Sequence, residues 1–268
     1  MQPEQNILAT HAFGRQVDFG KTASDYRCFR AGFPPTFFEA LAARGWLDSG
    51  RRILDLGTGT GTVARGLAKR GFSVVGVDPA VELLLEAERL DHEANVSITY
   101  RQGRAEALEE ATASVDLVAA GQCWHWFDRP KAASEVARVL VPGGRVIIAH
   151  FDWLPLPGNV VESTEELIFA FNPKWTMGGG TGIYPQWLRD LAVAGFEDLE
   201  TFSFDVTQPY SHEAWRGRIR ASAGVKASLN AEMINNFDSA LAEILKTGFP
   251  QDPLYIPHRV WAASGVKR

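Results

Sequence analysis

Short apolar runs alternate with amphipathic stretches through the middle of the chain, and that alternation sets the expected fold. The runs RRILDLG (51–57), FSVVGVD (72–78), VSITYRQ (96–102), VDLVAAG (115–121) and GRVIIAHF (144–151) are short and rich in β-branched residues, as strands are. Between them lie TVARGLAKR, PAVELLLEAERL and RPKAASEVARVLVPGG, which read as helices. In the last, Ala132, Val136, Val139 and Leu140 recur at helical spacing, and Pro142-Gly143-Gly144 is expected to end the helix. Strands alternating with helices predict right-handed βαβ units, hence an α/β, doubly wound, mostly parallel sheet with helices on both faces.

The pattern changes after Phe151. DWLPLPGN is turn-rich, VVESTEELIFAFNPKW and YPQWLRDLAVAGF read as helices, and TMGGGTG between them reads as a loop. EDLETFSFDV alternates like a strand, a helical block runs from Ser211 to about Gly248, and HRVWAAS reads as a last strand. The strands then number seven. Two helical inserts, at about 158–182 and 210–250, interrupt the final sheet elements and are candidates for a lid over the sheet's carboxyl edge. Before the first strand, TFFEALAARGWL has helical spacing within an N-terminal segment of residues 1–48; residues 49–151 are the core, and 152–268 complete the sheet.

Composition narrows the function without changing that fold. With 268 residues, 46% of them hydrophobic, the chain can build one large core. A net charge of −5 argues against nucleic acid as a partner. No apolar run approaches a membrane span, and the N-terminus lacks the basic-then-apolar order of a signal peptide, so a cytoplasmic monomer or homodimer is expected. Cys28 and Cys123 stand far apart in no metal-like spacing, so neither a disulfide framework nor a metal site is expected, and Cys123 reads as a small buried residue.

The chemistry-bearing stretch is LDLGTGTG, residues 54–61. Gly57 and Gly59 permit positive φ or close approach of a ligand to the backbone. Asp55 ends the first strand and Asp78 the second, followed by Pro79 at a helix start. An acid at the second tip suits a ribose diol, which NAD enzymes share. Their turns read G-x-G-x-x-G around a pyrophosphate, and here the third glycine position is Thr62. An acid just before the glycines repels a pyrophosphate and favours an ammonium group.

These segments in this order resemble the class I S-adenosylmethionine-dependent methyltransferases, whose Rossmann-like sheet the chain would share. LDLGTGTG looks like the family's first motif and VVGVDPA its second. QGRAEAL (102–108) resembles the adenine-flanking segment, VDLVAAGQCWHWFD the fourth motif, and EVARVLVPGGRVIIAH the helix–loop–strand that follows. HWFD and the N-terminal DYRCFRAGFPP are most similar to the small-molecule branch with type 11, ubiquinone/menaquinone-biosynthesis-like and trans-aconitate-like members. The resemblance implies S-adenosyl-L-methionine as cofactor and S-adenosyl-L-homocysteine as product. Asp55, Gly57, Thr58 and Gly59 would hold the methionine part, and Asp78 and Pro79 would flank the ribose. The Ala105 N–H would meet adenine; Arg104 stands where many relatives carry an acid, with Glu106 as the nearest substitute. Gly121 and Gln122 would lie nearest the reacting methyl. Tyr26 and Arg30 match N-terminal residues that fold over the cofactor, making 1–48 a cofactor cover.

Methyl transfer from a sulfonium is an in-line displacement that needs alignment and exclusion of water. A base is required only where the acceptor must lose a proton. His125 is the histidine placed near that point; it reads either as that base or as a bystander beside a helix start. Trp124 and Trp126 flank it, one expected to pack inward and one to wall the pocket. Trp175, Arg216 and Arg220 are substrate candidates in the inserts, an arginine pair suiting a carboxylate-bearing acceptor. A nicotinamide-dependent oxidoreductase and a non-catalytic S-adenosylmethionine-binding protein are the alternatives.

Overall fold

The computed structural model describes residues 32–48, 52–222, 224–225 and 228–268. Seven strands form one sheet: β1 (Arg52–Leu56), β2 (Ser73–Asp78), β3 (Thr99–Gln102), β4 (Val115–Gly121), β5 (Leu140–Trp153), β6 (Phe196–Tyr210) and β7 (Leu254–Lys267). Their order is β3-β2-β1-β4-β5-β7-β6. The pairs β1–β2, β1–β4, β2–β3 and β4–β5 are parallel. The chain therefore leaves β1 in one direction for β2 and β3, then returns to its other side for β4. At that reversal the carboxyl ends of β1 and β4 stand side by side, with Leu56 opposite Ala120, which is where such sheets bind ligands.

Eight α-helices lie among the described residues: α1 (Pro35–Ala43), α2 (Thr62–Ala68), α3 (Val81–Glu93), α4 (Arg129–Val139), α5 (Val160–Phe171), α6 (Gln186–Val193), α7 (His212–Arg220) and α8 (Ala231–Gly248). Local chemistry starts several of them. Asn159, Ser211 and Asn230 each accept a hydrogen bond from a backbone N–H three residues on, which satisfies a donor the helix cannot. None of these helices is long and apolar enough to cross a membrane.

The chain divides into two compact units. In the first, the described residues run to Phe151 and continue through Ile183–Phe204 and Arg259–Arg268. Here Leu54, Leu56, Val118, Ala120, Ile148, Val136 and Trp187 bury one face of the sheet. Phe37, Leu41, Val63, Leu67, Leu117 and Ile147 line a narrow apolar space on the other. Burial of both faces is why these strands read as continuous apolar runs. The second unit holds residues 152–182 and 205–258 among those described. There Phe171 and Phe237 join α5 to α8 edge to face at 5.5 Å, and buried Trp215 donates to Thr164 across 3.1 Å.

Three boundaries differ from the pattern reading. β5 begins at Leu140, not Gly144, because Leu140 pairs with Val115 as soon as α4 ends; the ladder resumes at Leu117–Arg145 after an irregularity. Pro142-Gly143 therefore lies inside the strand's irregular start, with Gly143 at φ 80°, rather than ending the helix. β3 starts only at Thr99, since the Val96 N–H is held by Asp91 O at the end of α3. The long helical block is two helices, α7 and α8, separated between Arg220 and Ala231.

Helix α1 packs on α2 through Phe38, whose ring lies where a side chain at Gly66 would go: an added Cβ would fall 2.0 Å from its Cζ. In an open helix, Gly→Ala stabilises by about 1 kcal/mol. Phe38 is buried, with Phe37 at 5.0 Å and the Arg70 guanidinium 4.5 Å above its ring, so it has little room to yield. Overpacking of this kind costs about 1–3 kcal/mol. Gly66→Ala is therefore expected to lower stability in urea titrations by about 1–2 kcal/mol; a stabilised variant would contradict this packing.

Candidate active site

The site grows from the turn between β1 and α2. Gly59 sits at φ 56°, and a Cβ built there would meet nothing within 4 Å. Its backbone thus faces open space, and a side chain would fill it. Beneath the turn lies Asp55, only 1% exposed. Its Oδ2 accepts from Thr58 Oγ1 at 2.7 Å and from the Ala64 N–H at 3.2 Å. Its Oδ1 is buried and has no hydrogen-bond partner. Burial pushes this carboxyl up to about 7, against the Thr58 and Ala64 hydrogen bonds and with some help from the Asp78 charge. One oxygen therefore builds the turn while the other waits for a donor.

Asp78 at the tip of β2 closes the turn from the other side. Its Oδ2 accepts from the Gly59 N–H and its Oδ1 from the Ala80 N–H, each at 2.9 Å. Burial raises this carboxyl too, opposed by those two N–H groups. Thr58 N–H reaches back to Val77 O at 3.1 Å, so the turn is hung on β2. Pro79 follows at the surface, its carbonyl accepting from Gln102 Nε2 at 3.1 Å. Beyond β3, Ala105 is buried. Glu106 Oε1 accepts from the Asp128 N–H at 2.9 Å and its Oε2 lies 3.6 Å from Arg104 Nε, so it braces the loop after β4.

At the tip of β4 the backbone is tightly held. A Cβ on Gly121 would fall 2.4 Å from Val63 Cγ2, which requires glycine there. Gln122 adopts φ 60°, its N–H donating to Ala149 O at 2.8 Å and its Nε2 to Phe151 O at 2.7 Å. Its amide therefore ties β4 to β5. Cys123 is buried, with Sγ 3.0 Å from Leu56 O. Trp124 is fully buried and donates to Asp190 Oδ2 at 3.0 Å, so it belongs to the core and not to a substrate wall. Trp126 is half-buried beside His125, ring centroids 4.7 Å apart.

His125 also meets His150, at 5.2 Å. His150 is buried at the end of β5 against Tyr184 at 4.5 Å and Trp187 at 4.8 Å, and those two rings stack at 4.2 Å. Sequence reading missed His150 and Tyr184, because no local motif links residue 125 to residues 150 and 184; only the sheet does.

The remaining candidates lie elsewhere. Trp175 is buried in the second unit against Phe169, 5.1 Å away. Arg216 and Arg220, candidates for a carboxylate-bearing acceptor, both pair with Asp238 and with Glu213. Tyr26 and Arg30 lie outside the described residues. Among the described residues, no group of three His, Cys, Asp or Glu is placed to hold a metal ion.

Known proteins resemble this chain in sequence and fold. Residues 54–148 match the family model described as a methyltransferase domain. An uncharacterized methyltransferase of Mycobacterium bovis is 41% identical over 132 residues, 48% of this chain and 50% of that protein, so the chain spans about half the length of that relative. The ubiquinone biosynthesis O-methyltransferase of Xanthomonas oryzae pv. oryzae is 28% identical over 192 residues, 70% of this chain and 77% of that one. Among solved structures, phosphoethanolamine N-methyltransferase 2 of Haemonchus contortus, in complex with S-adenosyl-L-methionine, superposes with a TM-score of 0.56 over 100% of this chain and 61% of that one. At 22% identity that likeness shows the fold.

The raised Asp55 carboxyl has a consequence for stability. Its folded-state value of about 7 lies above the ordinary value of 3.8, so the folded state holds a proton that the unfolded state releases between those limits. Its contribution is complete below about pH 4 and is lost as pH rises through about 7. Asp78, also raised by burial, acts in the same sense. The ligand-free protein should lose stability across this range, and Asp55→Asn should flatten the slope by up to about 1.4 kcal/mol per pH unit in chemical denaturation. An unchanged slope in the variant would contradict the raised carboxyl.

Proposed function

We propose, from a chain whose residues 54–148 match the family model of a methyltransferase domain, that it binds S-adenosyl-L-methionine and transfers the methyl group to a small-molecule acceptor by in-line displacement. The observation that carries this reading is the unpartnered Oδ1 of buried Asp55 below the open backbone of Gly59. Once ionised, an acceptor-only oxygen at a glycine turn fits the ammonium of an amino-acid-bearing adenosine. It repels the pyrophosphate of a dinucleotide. The second acid, Asp78, keeps lone pairs beyond its two N–H contacts for ribose hydroxyls. Ala105 offers its backbone to adenine, and Tyr26 and Arg30 complete the cofactor set.

When bound, S-adenosyl-L-methionine supplies a methyl group already activated by positively charged sulfur. The chain's own work is then alignment and exclusion of water. Gly121 and Gln122, locked between Val63 and β5, fix the floor of that region. His125, held between Trp126 and His150, takes the proton from an acceptor that must lose one. The acidic chain supports a small-molecule acceptor over nucleic acid. The relatives named for ubiquinone biosynthesis and for phosphoethanolamine support it as well.

Calorimetric titration tests the cofactor. S-adenosyl-L-methionine should bind and NADH should not, and Asp78→Ala should weaken the former by about 1–3 kcal/mol. Binding of NADH alone would overturn the proposal. In a screen of quinols, phenols and carboxylic acids for S-adenosyl-L-homocysteine release, His125→Ala should lower kcat about 100-fold on an acceptor that loses a proton. Cofactor affinity should stay within about twofold; unchanged kcat would remove His125 from the chemistry.

A further inference from the structure

Arg65 is hydrogen-bonded to the glycine turn, and neither the motifs nor the comparisons give it a role. It sits in α2, its side chain 13% exposed. Its Nη2 donates to the Thr60 carbonyl of the turn at 2.8 Å and to Ala87 O at 3.1 Å, and its Nε donates to Asp91 Oδ1 at 2.7 Å. Ala87 and Asp91 are one helical turn apart on α3. One guanidinium thus joins the turn to the helix that follows Asp78.

The peptide it grips has its other end fixed as well. The Gly61 N–H, in the same plane as the Thr60 carbonyl, donates to Thr58 O at 2.9 Å. The neighbouring Gly59–Thr60 peptide is different: among the described residues neither the Gly59 carbonyl nor the Thr60 N–H makes a hydrogen bond. Gly59 and Gly61 both lie at positive φ, where glycine's backbone is free to swing. The orientation of the free Gly59–Thr60 peptide therefore depends on how firmly its neighbour is held. A flexible turn between two glycines would otherwise sample many orientations, and a ligand would have to freeze it.

We infer that Arg65 is a positioning residue, which fixes the Thr60–Gly61 peptide and thereby aims the free Gly59–Thr60 peptide at the ligand. The inference rests on the cofactor reading above for the identity of that ligand. It requires Arg specifically, because only a planar fork donates to Thr60, Ala87 and Asp91 at once; a lysine's single nitrogen meets Asp91 or the turn, not both sets.

The test separates positioning from simple ion-pair stability. Arg65→Lys keeps a charge for Asp91 and loses the fork; Asp91→Asn weakens the ion pair and leaves the fork on Thr60. Three quantities are read: melting temperature, S-adenosyl-L-methionine affinity by calorimetry, and hydrogen exchange of the Gly61 amide in the ligand-free protein. Arg65→Lys should lower affinity at least about tenfold and speed Gly61 exchange at least about tenfold. Asp91→Asn should lower the melting temperature while leaving both others within about threefold. If Arg65→Lys does not fold, Arg65→Gln, which retains one donor for Thr60, takes its place with the same expectation. Wild-type affinity and exchange in the Arg65 variant, or equal losses in both variants, would overturn the inference. No binding by the wild type, with Gly61 exchange still changed in the Arg65 variant alone, would overturn the cofactor reading and leave the positioning role standing.

Discussion

A carboxyl group taken out of water is the constraint on which this site depends. Asp55 is buried in the middle of a parallel sheet, opposite Gly76 on one side and Ala119 on the other. Removing a carboxylate from water is costly, so it must be hydrogen-bonded, neutralised or met by a cation. Asp55 is half satisfied: Oδ2 gathers the Thr58 hydroxyl and the Ala64 N–H, which turns the chain from strand into helix. Oδ1 is left over. The same residue therefore shapes the turn and defines the charge of the ligand that suits it.

The rest of the first unit places that residue. Strand order reverses at β1 and β4, so the turn opens beside the β4 tip. Asp78 holds Gly59 from β2, and Arg65 holds Thr60 from α2 and α3. At the neighbouring tip, Gln122 locks β4 to β5 through Ala149 and Phe151. A sheet with this outline hosts many chemistries. What argues for a methyl donor is the pair of acids at the two strand tips and an empty place over Gly59, combined with the match of residues 54–148 to the methyltransferase-domain family model.

Much of this was legible in the amino-acid order because it is local. The five core strands announce themselves as apolar β-branched runs, and Asp55, Gly59 and Asp78 stand at their ends. The bounds of β5 were not legible: Leu140 looks helical, and only its pairing with Val115 makes it a strand. Charge pairing was equally hidden. Arg216 and Arg220 look available on a helix, yet Asp238, 22 and 18 residues away, answers both. Trp124 and Trp126 are alike in sequence, and only the position of Asp190 decides that Trp124 turns inward. The same holds for Arg65, whose partners Thr60, Ala87 and Asp91 come together only when α2 packs beside α3.

The central claim is that Asp55 meets the cationic end of the cofactor. A carboxyl near half-protonation at pH 7 must give up its proton when a cation settles against it. Calorimetric titration with S-adenosyl-L-methionine at pH 7, in buffers of differing ionisation enthalpy, counts that proton. The wild type should release protons on binding, and Asp55→Asn should release clearly fewer. Equal proton release by the two proteins would contradict the assignment of Asp55.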